Sequence, residues 1–210
     1  MARVDRIAPS PHVKGRYLVF LDTGTLLKVG EQELMDFSLR PGAELEEEDL
    51  RRLDASARDT AARERAARLV GHRALSKGEL VNRLVSRGEV PASAERAADW
   101  LESLGAVNDA EYARTVVRHY DRMGYGPQKL REELRRRKVP GEHWEQALEE
   151  ARPQGENAAA FLAQKLRNRP LTDKELQRQT NALRRRGFDW EAIREAVEPY
   201  RSQVSRDWDE

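Results

Sequence analysis

The chain has 210 residues, a net charge of +1, 36% charged residues and no cysteine, which excludes disulfides, thiolate nucleophiles and sulfur-ligated metals. Leu, Val, Ile and Phe together number only 43, against 26 Ala. That composition favours helix, is too thin for a thick single core, and argues against most buried-pocket enzymes in favour of an extended, thin-cored helical array. The longest bulky apolar run, residues 17–21, is far short of the roughly 20 residues a membrane span needs. Met1-Ala2-Arg3-Val4-Asp5 carries no apolar signal core, so no membrane association and a cytoplasmic setting are expected.

The first 42 residues read differently from the rest. Tyr17-Leu18-Val19-Phe20 and Thr25-Leu26-Leu27-Lys28-Val29 flank Asp22-Thr23-Gly24 and predict a β-hairpin. Residues 4–8 add a third strand before the Pro9/Pro11 break, and 31–39 read as a short helix ended by Arg40-Pro41-Gly42. Residues 1–42 are therefore expected to form a small β-hairpin-containing cap. From Glu46 an acidic first turn opens a long helix, and Leu50, Leu53, Ala57, Ala61, Ala66, Leu69 and Val70 keep helical spacing through His72.

Beyond His72 the sequence repeats itself. Ser76-Lys77-Gly78-Glu79-Leu80, Leu84 and Gly88 recur 50 residues later as Gly126-Pro127-Gln128-Lys129-Leu130, Leu134 and Lys138. A third copy runs from Leu171-Thr172-Asp173-Lys174-Glu175-Leu176 through Leu183 to Gly187, with three extra residues inside its helix. Ser76 with Glu79 and Thr172 with Glu175 read as capping boxes, and Pro127 suits a first helical position.

A helix precedes each of these middle helices: the one ending near His72, one over 110–123 capped by Asn108-Asp109, and one over 157–168. Another follows each, marked by Ala94, Ala97, Leu101 and Leu104, by Trp144, Ala147, Leu148 and Ala151, and by Trp190, Ile193, Val197 and Tyr200. The expected fold is mainly α: three tandem three-helix, helix-turn-helix-like repeats in an elongated array behind the cap. The domains are then 1–42 (cap), 43–106 (long helix and first repeat), 107–152 (second repeat), 153–200 (third repeat) and a charged tail at 201–210.

No catalytic constellation emerges. Asp22-Thr23-Gly24 matches the aspartic-protease triplet, but it occurs once, where two carboxylates must share a proton, and it reads as a turn. His12, His72, His119 and His143 include no pair at i, i+4, so no metal site is expected. The segment 124–129 lacks the spacing of a phosphate loop, and Pro127 removes a backbone donor. Neither enzymatic activity nor a cofactor is expected.

What remains is arginine. Of 38 basic residues 31 are Arg, and net charge by segment is −4 for 1–50, +7 for 51–140 and −2 for 141–210. Arg131, Arg135 and Lys138 stand at i, i+4, i+7 beside the apolar Leu130 and Leu134, and the segment ends Arg135-Arg136-Arg137-Lys138. The third copy repeats this as Arg184-Arg185-Arg186, and the first carries Arg83 and Arg87. These are the candidate partner or DNA contacts, although coding bias explains an arginine excess equally well and cations also complement a helix C-terminus structurally. Trp144, Trp190, Tyr112 and Phe161 fall on expected buried stripes, so base-stacking platforms are not expected and any DNA binding is salt-sensitive.

The run from His72-Arg73-Ala74-Leu75-Ser76-Lys77-Gly78-Glu79-Leu80 to Gly88, then Gly105-Ala106-Val107-Asn108-Asp109-Ala110-Glu111-Tyr112-Ala113, Gly124-Tyr125-Gly126-Pro127 and Arg186-Gly187-Phe188-Asp189-Trp190, resembles the RecX family of bacterial RecA regulators. The likeness extends from about residue 66 to 200. Leu75 stands where that family often has a basic residue, and Lys138 where it usually has Gly. The resemblance implies a non-enzymatic modulator that binds RecA filaments on single-stranded DNA, lies along their groove, and reduces ATP hydrolysis, strand exchange and coprotease activity; the chain itself is expected to be a monomer. It leaves open direct contact with single- or double-stranded DNA. The residues alone also fit a tandem helix-turn-helix DNA-binding protein acting without RecA.

Overall fold

The computed structural model describes residues 1–167 and 171–204. The expected helix end at Asn168 and tail residues 205–210 lie outside them. The elements are β1 (Ala2–Pro9), β2 (Arg16–Leu21), β3 (Leu26–Gly30), α1 (Glu31–Asp36), β4 (Glu44–Leu45), α2 (Glu47–His72), α3 (Lys77–Val85) and α4 (Pro91–Ser103). Then come α5 (Asp109–Arg122), α6 (Pro127–Arg136), a 3-10 turn at Gly141–His143 leading into α7 (Trp144–Leu148), α8 (Gln154–Leu166), α9 (Asp173–Arg185) and α10 (Trp190–Val204). The chain divides into two compact units, one of Met1–Arg73 with Leu80–Val107, the other of Ala74–Glu79 with the chain from Asn108 onward.

In the first unit an antiparallel sheet of order β3-β2-β1-β4 buries Val4, Val19, Leu21 and Val29 against Leu53 and Ala57 of α2. The alternation expected of half-buried strands is thereby satisfied. β4 was not expected: Glu44 and Leu45 pair with Arg3 and Ala2, and two residues held by backbone pairing leave no hydrophobic period to read. Asp22-Thr23-Gly24 is the hairpin turn. The Asp22 carboxylate accepts the Arg3 amide at 2.9 Å, and Gly24 takes φ +83°, a backbone that L side chains rarely adopt.

Glu33 ties α1 to α2. Its buried carboxylate accepts the Gly30 amide at 2.8 Å, the Ser56 hydroxyl at 3.1 Å and the Thr60 hydroxyl at 2.5 Å. Burial alone would raise its pKa, but hydrogen bonds from Thr60, Gly30 and Ser56 outweigh that and hold it below the ordinary value. α2 then packs along α4, with Ala62, Ala66, Ala94, Ala97 and Ala98 buried. Arg96 clamps Asp59 with two hydrogen bonds of 2.8 and 2.7 Å.

In the second unit α5, α6 and α7 enclose Ala113, Val116, Val117, Leu130, Leu134, Val139 and Ala147. Helices α8, α9 and α10 enclose Phe161, Leu162, Leu176, Leu183, Phe188, Ile193 and Val197. Asn108 and Thr172 cap α5 and α9 by accepting the Glu111 and Glu175 amides at 3.0 and 3.2 Å. Arg152 Nε, 2.9 Å from the buried Asp121 carboxylate, and Asn157 Nδ2, also 2.9 Å from it, pin the end of α5 to the start of α8.

Two expected core residues are exposed. Trp190 is 65% exposed because Asp189 caps α10, accepting the Ala192 amide at 2.8 Å, and Phe188 fills the core place just before it. Leu104, 62% exposed, lies past the last turn of α4.

Candidate interaction surface

The three middle helices end alike. After α3, α6 and α9 the chain turns left-handed at Gly88 (φ +93°), Lys138 (+57°) and Gly187 (+84°). In each case the next amide reaches back to a leucine carbonyl: Glu89 to Leu84, Val139 to Leu134 and Phe188 to Leu183, at 3.1, 3.1 and 3.4 Å. This is the Schellman closure, which calls for glycine because a Cβ in this region costs roughly 1–2 kcal/mol. Lys138 adopts it regardless. It therefore stands two residues beyond the end of α6 at Arg136, and the expected stripe of Arg131, Arg135 and Lys138 on one helical face is corrected: its last member lies outside the helix.

The arginines separate into three groups. Arg131 lies 3.2 Å from both Glu145 oxygens, an exposed pair that contributes little to stability, and Arg136, itself exposed, is 2.5 Å from the buried Glu133. Arg135, with its guanidinium 5.4 Å from the Trp144 ring centre, and Lys138, Arg184 and Arg185 are exposed and enter no ion pair among the described residues. Arg137 turns inward, donating to the Tyr112 and Tyr120 hydroxyls at 3.1 and 3.3 Å. Its guanidinium is thus engaged within the fold, with part of it still exposed. In the first copy Arg83 is half-buried and Arg87 exposed.

Glu133, between Arg136 and Arg137, is buried. Burial would raise its pKa, but hydrogen bonds from Arg136 and Tyr120 and the charges of both arginines hold it below the ordinary carboxylate value. Arg186, the counterpart of Arg137, also points inward. It donates to the Met123 and Gly124 carbonyls at 2.7 and 3.0 Å and stacks 4.6 and 4.5 Å from the Tyr125 and Phe161 ring centres. The rule in both copies is that the arginine just before the left-handed residue braces the fold, whereas the one three positions before that residue (Arg135, Arg184) faces solvent. Only the adjacency to the turn residue could have signalled the bracing role.

The same helix ends are seats for the preceding copy. The Ser76 hydroxyl donates to the Arg137 carbonyl, and a Cβ on Gly78 would lie 2.8 Å from the Lys138 carbonyl oxygen. One copy further on, the Gly126 and Gln128 amides donate to the Arg186 and Gly187 carbonyls at 2.8 and 3.2 Å, with Gly126 so close that a Cβ would overlap Gly187. A helix start thus plugs the orphan carbonyls of the next helix end, satisfying both sets of groups.

Among the described residues no cluster of His, Asp or Glu could hold a metal, and no helix is long and apolar enough to cross a membrane. The fold and its surface define a tandem three-helix-repeat protein with exposed cations at its helix ends. Family models for the second and third three-helix domains of RecX match residues 108–148 and 154–197. RecX of Chromohalobacter salexigens is 34% identical over 143 residues, covering 68% of this chain and 94% of that one. RecX of Levilactobacillus brevis is 31% identical over 182 residues, covering 83% and 68%. A solved structure of a regulatory protein RecX superposes with a TM-score of 0.70 at 24% identity, over 95% of this chain and all (100%) of that one. The chain belongs to the RecX family, regulatory proteins rather than enzymes.

Proposed function

We propose that this chain modulates the RecA recombinase, mainly as an inhibitor, by binding RecA filaments on single-stranded DNA and reducing their ATPase, strand-exchange and coprotease activities during recombination and the SOS response. Family membership supports the partner. The observation that carries the surface is the repetition, at equivalent places, of exposed arginines that enter no ion pair among the described residues, Arg135 on α6 and Arg184 on α9, joined by Lys138 and Arg185. In this reading the repeats at 43–106, 107–152 and 153–200 are successive contact units behind the cap at 1–42, with 201–210 as a charged tail, and the chain works as a cytoplasmic monomer without a cofactor. Arg131 joins the contact by exchanging the exposed Glu145 carboxylate for the partner's, and Arg136 joins through the exposed side of a guanidinium that keeps its pair with the buried Glu133. Arg83 and Arg87 supply the first unit's weaker share.

The test is RecA's single-strand-dependent ATP hydrolysis with this protein titrated in, as wild type and as the double variant Arg135→Glu with Arg184→Glu. Expected is inhibition below equimolar protein by the wild type, and at least about tenfold more variant for the same effect, with a melting temperature within about 2 °C. Absence of inhibition, together with tight salt-sensitive binding to DNA alone, would replace this reading by that of a tandem helix-turn-helix DNA-binding protein.

A further inference from the structure

Among the described residues, the seat formed by the end of a middle helix is filled twice and open once. At α6 the Arg137 carbonyl takes the Ser76 hydroxyl, and at α9 the Arg186 and Gly187 carbonyls take the Gly126 and Gln128 amides. The matching residues at the end of α3 are Arg87 and Gly88, with the same left-handed backbone and the same closure. Both are exposed, and neither carbonyl accepts a hydrogen bond among the described residues. A Cβ on Gly88 would meet nothing within 4 Å, whereas one on Gly187 would lie 2.5 Å from the Lys129 amide nitrogen.

This open seat forms part of the wall of a groove of about 780 Å³ within the first unit, which also takes in β2, β3 and α2. Leu18, Leu26, Leu27 and Ala61 give it an apolar floor. Its three carboxylates are all paired, Asp54 with Arg58 at 2.7 Å, Glu64 with Arg16 at 2.9 Å and Glu89 with Arg65. Lys28, Arg68 and Arg87 also line it and enter no ion pair among the described residues.

We propose that this groove binds the first turn of an acidic helix from a partner protein. The amides of that turn dock on the Arg87 and Gly88 carbonyls, as the Gly126 and Gln128 amides do at the end of α9. Asp or Glu side chains, which the helix dipole favours in a first turn, meet Lys28, Arg68 and Arg87, and an apolar residue covers Leu18 and Leu26. A nucleic-acid backbone fits less well, because phosphate offers no donor to the open carbonyls and has no use for the apolar floor. The site lies in the first unit and shares only Arg87 with the contacts of the RecA reading, so its test is made at Lys28 and Arg68.

Fluorescence anisotropy of the full chain tests it, with a labelled helical peptide opening Ser-Pro-Glu-Glu-Leu, a counterpart opening Ser-Pro-Lys-Lys-Leu, and a labelled oligo-dT strand. The acidic peptide is expected to bind in the micromolar range, and the basic one at least about tenfold more weakly. The double variant Lys28→Glu with Arg68→Glu should lose the acidic peptide by a similar factor while melting as the wild type does. Leu26→Asp, at an exposed position, serves as the second variant should the first fail to fold. Equal binding of the two peptides, binding unaffected by either variant, or oligo-dT binding that the double variant abolishes while the acidic peptide shows none, would overturn the proposal. Self-association that the double variant abolishes would also overturn it, by assigning the groove to a second copy of this chain.

Discussion

The ends of α3 and α9 make an instructive pair, because both read Arg-Gly and both close through the same left-handed turn, yet their arginines do opposite things. Arg186 is stacked between Tyr125 and Phe161 and bonded to two carbonyls, while Arg87 faces solvent. Local sequence decides how a helix stops. What the last arginine does depends on whether another helix start has been brought against it.

The largest expected effect separates the two glycines. In Gly187→Ala the new Cβ meets both the left-handed backbone and the Lys129 amide, and a loss of about 3 kcal/mol or more is expected. Gly88→Ala carries only the backbone penalty of roughly 1–2 kcal/mol. Urea unfolding, with amide exchange to locate the loss in α9 or α3, measures both, and equal losses would break the comparison. Next comes the arginine pair: Arg186→Ala removes donors from the Met123 and Gly124 carbonyls and should destabilise by about 2 kcal/mol, against no more than about 0.5 kcal/mol for Arg87→Ala. Similar melting points for the two variants would mean that the inward packing of Arg186 contributes nothing. The smallest effect has the opposite sign. Lys138→Gly relieves the left-handed strain and should raise stability by up to about 1 kcal/mol, a gain visible as a higher urea midpoint.

Much of this was legible beforehand. The long helix through His72, the capping roles of Asn108 and Thr172 and the buried leucines 80, 84, 130, 134 and 183 all follow from period and cap chemistry, which act within a turn or two of chain. β4 escaped notice because backbone pairing of two residues writes no pattern. Trp190 and Leu104 were misplaced because a periodic stripe says nothing about where the helix begins or stops. At the surface, charge spacing picked out the region of Arg131 to Lys138, but it could not tell exposed Arg135 from inward Arg137, two residues apart on the same helix end.

The sequence by itself determined that this is a chain of repeated helical units without cysteine chemistry, that glycine or its substitute closes each middle helix, and that arginine gathers there. These depend on propensity, period and local capping, which short segments carry in full. Only the tertiary structure decided which arginines brace the fold and, among the described residues, which enter no ion pair and that one of three equivalent helix ends is left open. Those outcomes depend on partners distant in sequence, such as Tyr112 and Tyr120 for the Arg137 side chain, Gly124 for Arg186 and Ser76 for the Arg137 carbonyl, and no local pattern records them.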